Sequence, residues 1–441
     1  MTNESSDHGL SALSDEELLS ELARRRASKL IAGGFLMAEE GFERHAHADS
    51  LVGLQDVLKT KMMEQDRSRK PCPKCKRLTG VKSADRARKI RTMSGELSFC
   101  RHYHYCDACR AGFYPLDIEL ELPTEGELSP KMLVRVLDFG VTVPFEEAES
   151  RWFVHHSGSR VSENLFRRAT EFVGKSVVRM SPSARHIAMR KPPKSRPSTL
   201  VVQADGSMIS MRREWKEAKL GIIYRTEQQV SGKETRGYLS APRFAGTMNG
   251  IDRFRSELDA ALDAERALEA KQVVWLGDGA AWIWNLQDEL SPNAVQILDF
   301  THMKDHAVEC GKVLLGDSPW LPIWTQTIVK RVELGRAQEV IDELHDLRKD
   351  LRGTKREAVN NLARYYTNHL HRIDYPRFRA LGLPIGSGAI ESAHRHVLQV
   401  RMKRAGQHWS PEGARRMTSL RCAYKTAGPE AFEDFVLAAA A

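Results

Sequence analysis

"QVVWLGDG", Gln272–Gly279, is a short, nearly all-apolar run that ends on an acid and a glycine. Its length and composition predict a strand buried on both faces, as in a parallel sheet covered by helices. Asp278 then emerges at the carboxyl edge of the sheet, where mixed α/β folds build their sites. "TLVVQADG", Thr199–Gly206, repeats the pattern and places Asp205 behind an apolar strand and before a glycine. A single Asp-Gly after a strand is equally a turn signal. Two in one region, with an isolated acid in a glycine-rich turn downstream, point to a site.

Around these two runs the texture is that of an α/β core. "MISMR", "KLGIIYR" and "AVQILDF" read as further strands, "GIDRFRSELDAALDAERALEA" as an amphipathic helix, and residues 301–380 as mostly helical. The downstream acid is Glu391, in "LPIGSGAIESAHRHVLQVRMKRAG", Leu383–Gly406. Ile390, Ala393, Val397 and Val400 make a helical stripe that would dock on the sheet and aim Glu391 at the strand ends. Alone, Glu391 would read as a surface pair with Arg395, four residues on. Converging carboxylates repel one another unless cations lie between them, and an all-oxygen site suits Mg²⁺ or Mn²⁺. Two such ions can activate a water or hydroxyl and stabilise the leaving oxygen of a phosphodiester.

Basic residues follow Glu391. Arg395, Arg401, Lys403, Arg404, Arg415 and Arg416 are expected to hold DNA backbone. On a continuous helix Arg401–Arg404 would lie about 15–20 Å along the axis from Glu391, on flanking phosphates rather than the scissile one. Trp282, Trp284 and Trp409 read as core, and Cys310 and Cys422 as buried thiols.

Five of the seven cysteines fall between Cys72 and Cys109. "CPKC" and "CDAC" are two C-x-x-C knuckles, and four thiolates suit the tetrahedral preference of one structural Zn²⁺ held by Cys72, Cys75, Cys106 and Cys109. The segment between them predicts a hairpin around Ser94-Gly95, giving a zinc ribbon. Cys100, His102 and His104 read as strand residues outside the ligand set, the histidines on the surface. Four thiolates leave no open position for chemistry, so this metal would be structural.

The 441 residues carry 67 Lys plus Arg against 58 Asp plus Glu, a net charge of +9 that weakly favours a polyanionic partner. There is no apolar run of about 18 residues, so no membrane span is expected. The polar, acidic start has no signal-peptide pattern, so the chain is expected to be intracellular. Residues 1–13 read as disordered, and "SDEE", Ser14–Glu17, as a helix-starting capping box. The expected organisation is a helical N-terminal region over 1–69, the ribbon over 70–122, and a helical region over 123–189. A linker over 190–198 leads to a catalytic domain over 199–425, with a helical insertion at about 303–380 and a tail over 426–441. "PFEEAESRWFVHH" and "VSENLFRRATEFVG" are compatible with a helix-turn-helix whose Arg167 and Arg168 would meet DNA.

The order Asp205, Asp278, Glu391 on strand, strand and helix resembles the DDE transposases with a ribonuclease-H-like fold. More narrowly it resembles the Mutator-like superfamily and its bacterial ISKra-type insertion-sequence transposases. "ADG", "GDGAAWIWNL", "ILDFTHMKDH" and "GSGAIESAHRHVLQVRMKRAGQHWS" carry the resemblance, with the ribbon running into "GFYPLD". It implies that Asp205, Asp278 and Glu391 bind two catalytic divalent ions, and that the long stretch between Asp278 and Glu391 is a helical insertion. Asp299 and His302, in a D-x-x-H pair, would support the pocket or contact DNA. The implied activity is cutting and joining of DNA strands at terminal inverted repeats. Its partners would be double-stranded repeat and target DNA and a second or further copy of the chain, on DNA in a bacterial cytoplasm. The rival readings are a non-transposing nuclease of the same fold and a non-catalytic DNA-binding regulator. "EWKEAK", Glu214–Lys219, is also similar to the family but carries no assigned role.

Overall fold

The computed structural model describes residues 14–30, 34–156, 158–230 and 237–441. The expected disorder over residues 1–13 lies outside them. Two compact units form, one running to Ala169 and taking in Ala440–Ala441, the other spanning Thr170–Ala439. Among the described residues no helix is long and apolar enough to cross a membrane.

The first unit opens with α1 (Asp15–Leu30) and α2 (Gly34–Met63). The capping box forms: Ser14 N donates to Glu17 Oε2 at 2.8 Å, and Glu17 N to Ser14 Oγ at 3.3 Å. The short strands β1 (Lys70–Pro71) and β2 (Leu78–Thr79) pair with each other, and β3 (Val81–Thr92), β4 (Gly95–Cys106) and β5 (Ala111–Phe113) form an antiparallel sheet. Thr92 pairs with Gly95, so the hairpin turns at Met93-Ser94. Leu58 of α2, Ile90, Leu97, Phe99, Leu116 and Leu122 make its core. Then follow α3 (Pro115–Glu119), α4 (Pro130–Thr142), α5 (Phe145–His155) and α6 (Glu163–Arg179). Trp152 of α5 lies edge-on to Phe139 and Phe166, which closes this helical group.

The second unit holds α7 (Pro182–Met189), then residues 190–198 without helix or strand. That stretch is pinned: Arg190 pairs with buried Glu265 at 2.7 Å, and Ser195 O accepts from Arg225 at 3.0 Å. A mixed five-stranded sheet follows, from β6 (Thr199–Ser210), β7 (Trp215–Arg225), β10 (Arg243–Thr247), β11 (Gln272–Gly277) and β12 (Val295–Leu298), in the order β10-β7-β6-β11-β12. The first three are antiparallel neighbours, and β11 runs parallel to both β6 and β12. A small hairpin, β8 (Gln229–Val230) with β9 (Tyr238–Leu239), stands beside it. Helices α8 (Gly250–Ala264) and α9 (Ala281–Leu290) precede β11 and β12. Five helices follow: α10 (Phe300–Leu315), α11 (Trp320–Glu333), α12 (Ala337–Leu347), α13 (Gly353–Asn368) and α14 (Tyr375–Ala380). The chain then forms α15 (Gly388–Ala393), a π-helical turn (His394–Gln399), α16 (Val400–Met402) and α17 (Pro411–Ala440), which is broken by a non-helical kink at Gly428.

Three local expectations fail for physical reasons. Asp205 does not end its strand. β6 continues to Ser210 because β7 pairs with it throughout, Gly206 opposite Lys219, so cross-strand pairing overrides the Asp-Gly turn signal. His104 is buried rather than on the strand surface, with Nδ1 3.1 Å from Thr79 O. The apolar stripe behind Glu391 also shifts. Ile390, Ala393 and Val397 are buried, but Val400 is exposed and Arg401 fully buried. The π turn takes more residues per turn than an α-helix, which rotates every later position.

Candidate metal centres

The first centre arises from two local turns. Sγ of Cys72 lies 4.0 Å from that of Cys109, and Sγ of Cys75 lies 3.6 Å from that of Cys106. All four sulfurs fall within 4.8 Å of one another. Sulfurs on a tetrahedral ion with bonds of about 2.3 Å would stand roughly 3.8 Å apart, so the set fits one metal such as zinc. The knuckles are alike in backbone: the residue after each second cysteine, Lys76 or Arg110, has a positive φ of 63° or 49°. At the first knuckle Lys76 N donates to Cys72 O at 2.9 Å. The backbone N–H groups of Cys75 and Lys74 face the Cys72 thiol and bring its pKa down to about 7, towards the thiolate a metal needs. Cys100 stands opposite Ala87 in the hairpin and is not in the cluster.

The expected carboxylate site depends on the whole sheet. Gln203 of β6 pairs with Leu276 of β11, and two residues further along these parallel strands lie Asp205 and Asp278. Side chains alternate along strands, so Gln203 and Asp205 point to one face. The fully buried Gln203 uses both ends of its amide there. Its oxygen accepts from Ile390 N at 3.0 Å, and its nitrogen donates to Tyr224 Oη at 3.3 Å. Gln203 thus fastens the head of α15, with Glu391, to the face that carries Asp205.

One turn beyond Glu391, His394 Nε2 lies 3.6 Å from Asp205 Oδ2. His394 is almost fully buried, and among the described residues neither ring nitrogen has a partner within ordinary hydrogen-bond geometry. Burial raises the pKa of Asp205, and the charge of Asp278 raises it further, while His394 and His302 pull it down. Burial also holds His394 in the neutral form, against the pull of Asp205, and Lys403 depresses it further.

Each acid is positioned by polar contacts. Asp205 Oδ1 accepts from Gly206 N at 2.6 Å, and Asp278 Oδ1 accepts from Ala280 N at 2.9 Å. Tyr365 of α13 donates to Asp278 O at 3.1 Å, so the helical segment supports the second acid directly. Gly279 has φ +100°, and a Cβ there would come within 2.8 Å of Tyr365 Oη. Glu391 is exposed, with Oε1 accepting from Ser387 Oγ at 2.7 Å. Asp299 is fully buried: Oδ1 accepts from Ser387 N at 2.6 Å and Oδ2 from His302 N at 2.8 Å. Both oxygens of Asp299 therefore serve the protein's own backbone, while His302 stays exposed. A cleft of about 950 Å³ opens beside Glu391, lined by Tyr224, Tyr238, Phe244, Arg395, His396 and Gln399.

The basic segment is not a straight helix. It ends at Met402, and the chain folds back so that Trp409 N donates to Ser210 O at 3.1 Å at the end of β6. His408 Nδ1 lies 2.8 Å from Ser210 Oγ. Exposed Lys403 and Arg404 lie on this returning loop, and the charge of Lys403 acts on His394. Arg401 leaves the set of DNA-facing cations. It is fully buried, with its guanidinium 5.2 Å from the Trp409 ring centre. Arg395 is exposed, and Arg415 and Arg416 are half-buried, pairing with Glu412 at 2.6 and 3.6 Å. In the first unit, Arg167 bonds Asn164 and Arg168 pairs with Glu127 at 2.9 Å. His394, Gln203 and Tyr365 were missed in the sequence because nothing in their own neighbourhood marks them.

Among solved structures, the chain is similar to one in the Drosophila P element transposase strand transfer complex. The likeness is 11% in identity with a TM-score of 0.26, over 62% of this chain and 64% of that one. A score this low fixes neither fold nor activity. The chain is 23% identical over 344 residues to the UPF0236 protein in vanSb 3'region of Streptococcus gallolyticus, covering 77% of this chain and 73% of that relative. A family model described as Uncharacterised protein family (UPF0236) matches residues 54–431, and the chain belongs to that family.

Proposed function

We propose that this protein is a metal-dependent DNA transposase of the DDE type, with a ribonuclease-H-like core in its second unit. The observation that carries the reading is the placement of Asp205 and Asp278 at matching positions on adjacent parallel strands, with the Glu391 helix head fastened to the same face through Gln203. Two acids whose charges oppose each other in a partly buried place favour a divalent cation, and their all-oxygen donors suit Mg²⁺ or Mn²⁺. Two ions held by Asp205, Asp278 and Glu391 would supply an activated water or hydroxyl and stabilise the leaving oxygen. The chain's own residues do the rest. Ser387 orients Glu391, Tyr365 and Gly279 shape the Asp278 turn, and neutral His394 stands against Asp205 without neutralising it. Lys403, Arg404 and Arg395 would hold the phosphate backbone. Zinc at the four cysteines would fix the ribbon of the first unit. DNA with terminal inverted repeats is the substrate, and the enzyme works as a dimer or higher oligomer on it.

The test uses full-length protein, Mg²⁺ or Mn²⁺, and oligonucleotides from the inverted repeats that flank the coding region. Strand cleavage and joining of the 3′ end to target DNA are expected. Asp205→Asn, Asp278→Asn and Glu391→Gln should each lower cleavage by at least about a hundredfold, with DNA affinity unchanged. Cleavage without joining would make the protein a nuclease. Binding without cleavage in either metal would make it a regulator.

A further inference from the structure

His394 is 3% exposed, and its Nε2 faces Asp205 Oδ2 across 3.6 Å. That is too long for a hydrogen bond. The Asp205 main chain also bears on the ring, without a hydrogen bond of ordinary geometry. A buried polar group left in this way calls for a water or an ion. A neutral imidazole has one N–H and one lone pair. A backbone carbonyl can take the N–H. A carboxylate oxygen is itself an acceptor, so it meets the lone pair only through a shared cation.

The spacing fits such a cation. Two donors each about 2.1 Å from one ion stand roughly 3.0 Å apart at a right angle and about 4.2 Å apart when opposed. The 3.6 Å between Nε2 and Oδ2 lies inside that range. Glu391 and His394 are also placed as E-S-A-H. Glu-x-x-His sets both side chains on one helical face, and metal-binding helices use that spacing. The π turn opens on His394 itself, and such turns recur at functional sites. Among the described residues no third His, Cys, Asp or Glu closes the pair into a full set of donors. Ions that act on phosphates commonly keep several waters and take only one or two protein ligands.

We infer that His394 is a metal ligand: Nε2 and Asp205 Oδ2 hold one divalent ion between them, and the nitrogen tunes that position towards Mn²⁺ over Mg²⁺. Imidazole suits transition ions, whereas Mg²⁺ takes oxygen. The inference rests on the reading of Asp205 as a metal-binding acid and adds a nitrogen to an otherwise all-oxygen set. It makes the two ion positions chemically unlike.

Full-length protein, zinc-loaded so that the sulfur site is filled, is titrated with Mn²⁺ and with Mg²⁺ in the absence of DNA. Bound Mn²⁺ should show the electron spin-echo modulation of a directly coordinated imidazole nitrogen. His394→Gln should remove that signal and weaken Mn²⁺ binding by at least about tenfold, with Mg²⁺ binding much less affected. His394→Phe keeps a ring in the buried space, should do the same, and guards against loss of fold in the first variant. Asp205→Asn should lower the affinity for both ions. Mn²⁺ bound in an Asp205-dependent way but without a nitrogen signal overturns the assignment of His394 and leaves the acid reading standing. So does a nitrogen signal that survives both His394 variants. Mn²⁺ binding that ignores Asp205→Asn, or no binding at all, sinks the carboxylate reading and this inference together.

Discussion

The four thiols of the first centre come from two turns of four residues each, while the carboxylates of the second come from a strand, a strand end and a helix head spread over residues 205–391. Cys72 and Cys106 are buried, and among the described residues no donor other than sulfur belongs to their cluster. Asp205 and Asp278 are only partly buried, and Glu391 lies open beside a cleft. A closed sulfur site can lend its binding energy only to folding. The proposed oxygen site would spend folding energy, because burial and the charge of Asp278 both disfavour the charged form of Asp205. The sulfur cluster and the proposed oxygen site stand in different units of the chain.

The largest effect should come from emptying the sulfur site. Structural zinc contributes on the order of 10 kcal/mol to small domains at neutral pH. Cys72→Ser should therefore release one zinc per chain and unfold the hairpin, seen as lost amide protection over β3 and β4, while Cys100→Ser keeps the metal. Full zinc content in Cys72→Ser would remove the contrast between the centres. A smaller effect separates two neighbours on the basic segment. Arg401→Ala should cost roughly 2–3 kcal/mol of stability through lost buried packing. Lys403→Ala should change stability by no more than about 0.5 kcal/mol, but reduce the salt dependence of DNA binding by about one unit of slope. Equal melting temperatures for the two variants would contradict the placement of Arg401.

A further effect is a pH dependence confined to the second unit. Burial brings the pKa of His369 down to about 4, and burial with Arg243 and Arg185 nearby brings His186 to about 3. Both folded values lie below the unfolded value of about 6.5, so unfolding takes up protons in acid. Their stabilisation is whole above about pH 6.5 and is lost as pH falls towards 4 and 3. The melting temperature of this unit should decline over that range without zinc release, and His369→Gln should make the decline shallower. An acid transition that always coincides with zinc loss would tie both units to the sulfur site.

How much of each centre could be read in the sequence follows from how each is built. C-x-x-C fixes two ligands through one turn, so spacing alone brought the four cysteines together. The apolar runs before Asp205 and Asp278 also predicted strands that the structure contains. That those strands are neighbours depends on sheet order, which no local pattern records. Gln203 is a single polar residue in an apolar strand, and only the fold shows it fastening α15. The π turn was illegible because its sequence, "HRHVLQ", serves an α-helix equally well. Val400, Arg401 and His394 were misread or missed through that one turn. His104 was misjudged because strand alternation does not tell which face a neighbouring hairpin will cover.

Asp299 carries a mechanical consequence. One oxygen holds the backbone at His302, where α10 begins, and the other holds the backbone at Ser387, whose hydroxyl orients Glu391. The root of the helical segment and the third acid thus hang from a single carboxylate. A tilt of α10 must either break its hold on that carboxylate or drag Ser387 with it, and Glu391 then moves too. A load on the helices from bound DNA would be felt at the acid as a change of aim, with Asp299 as the fulcrum.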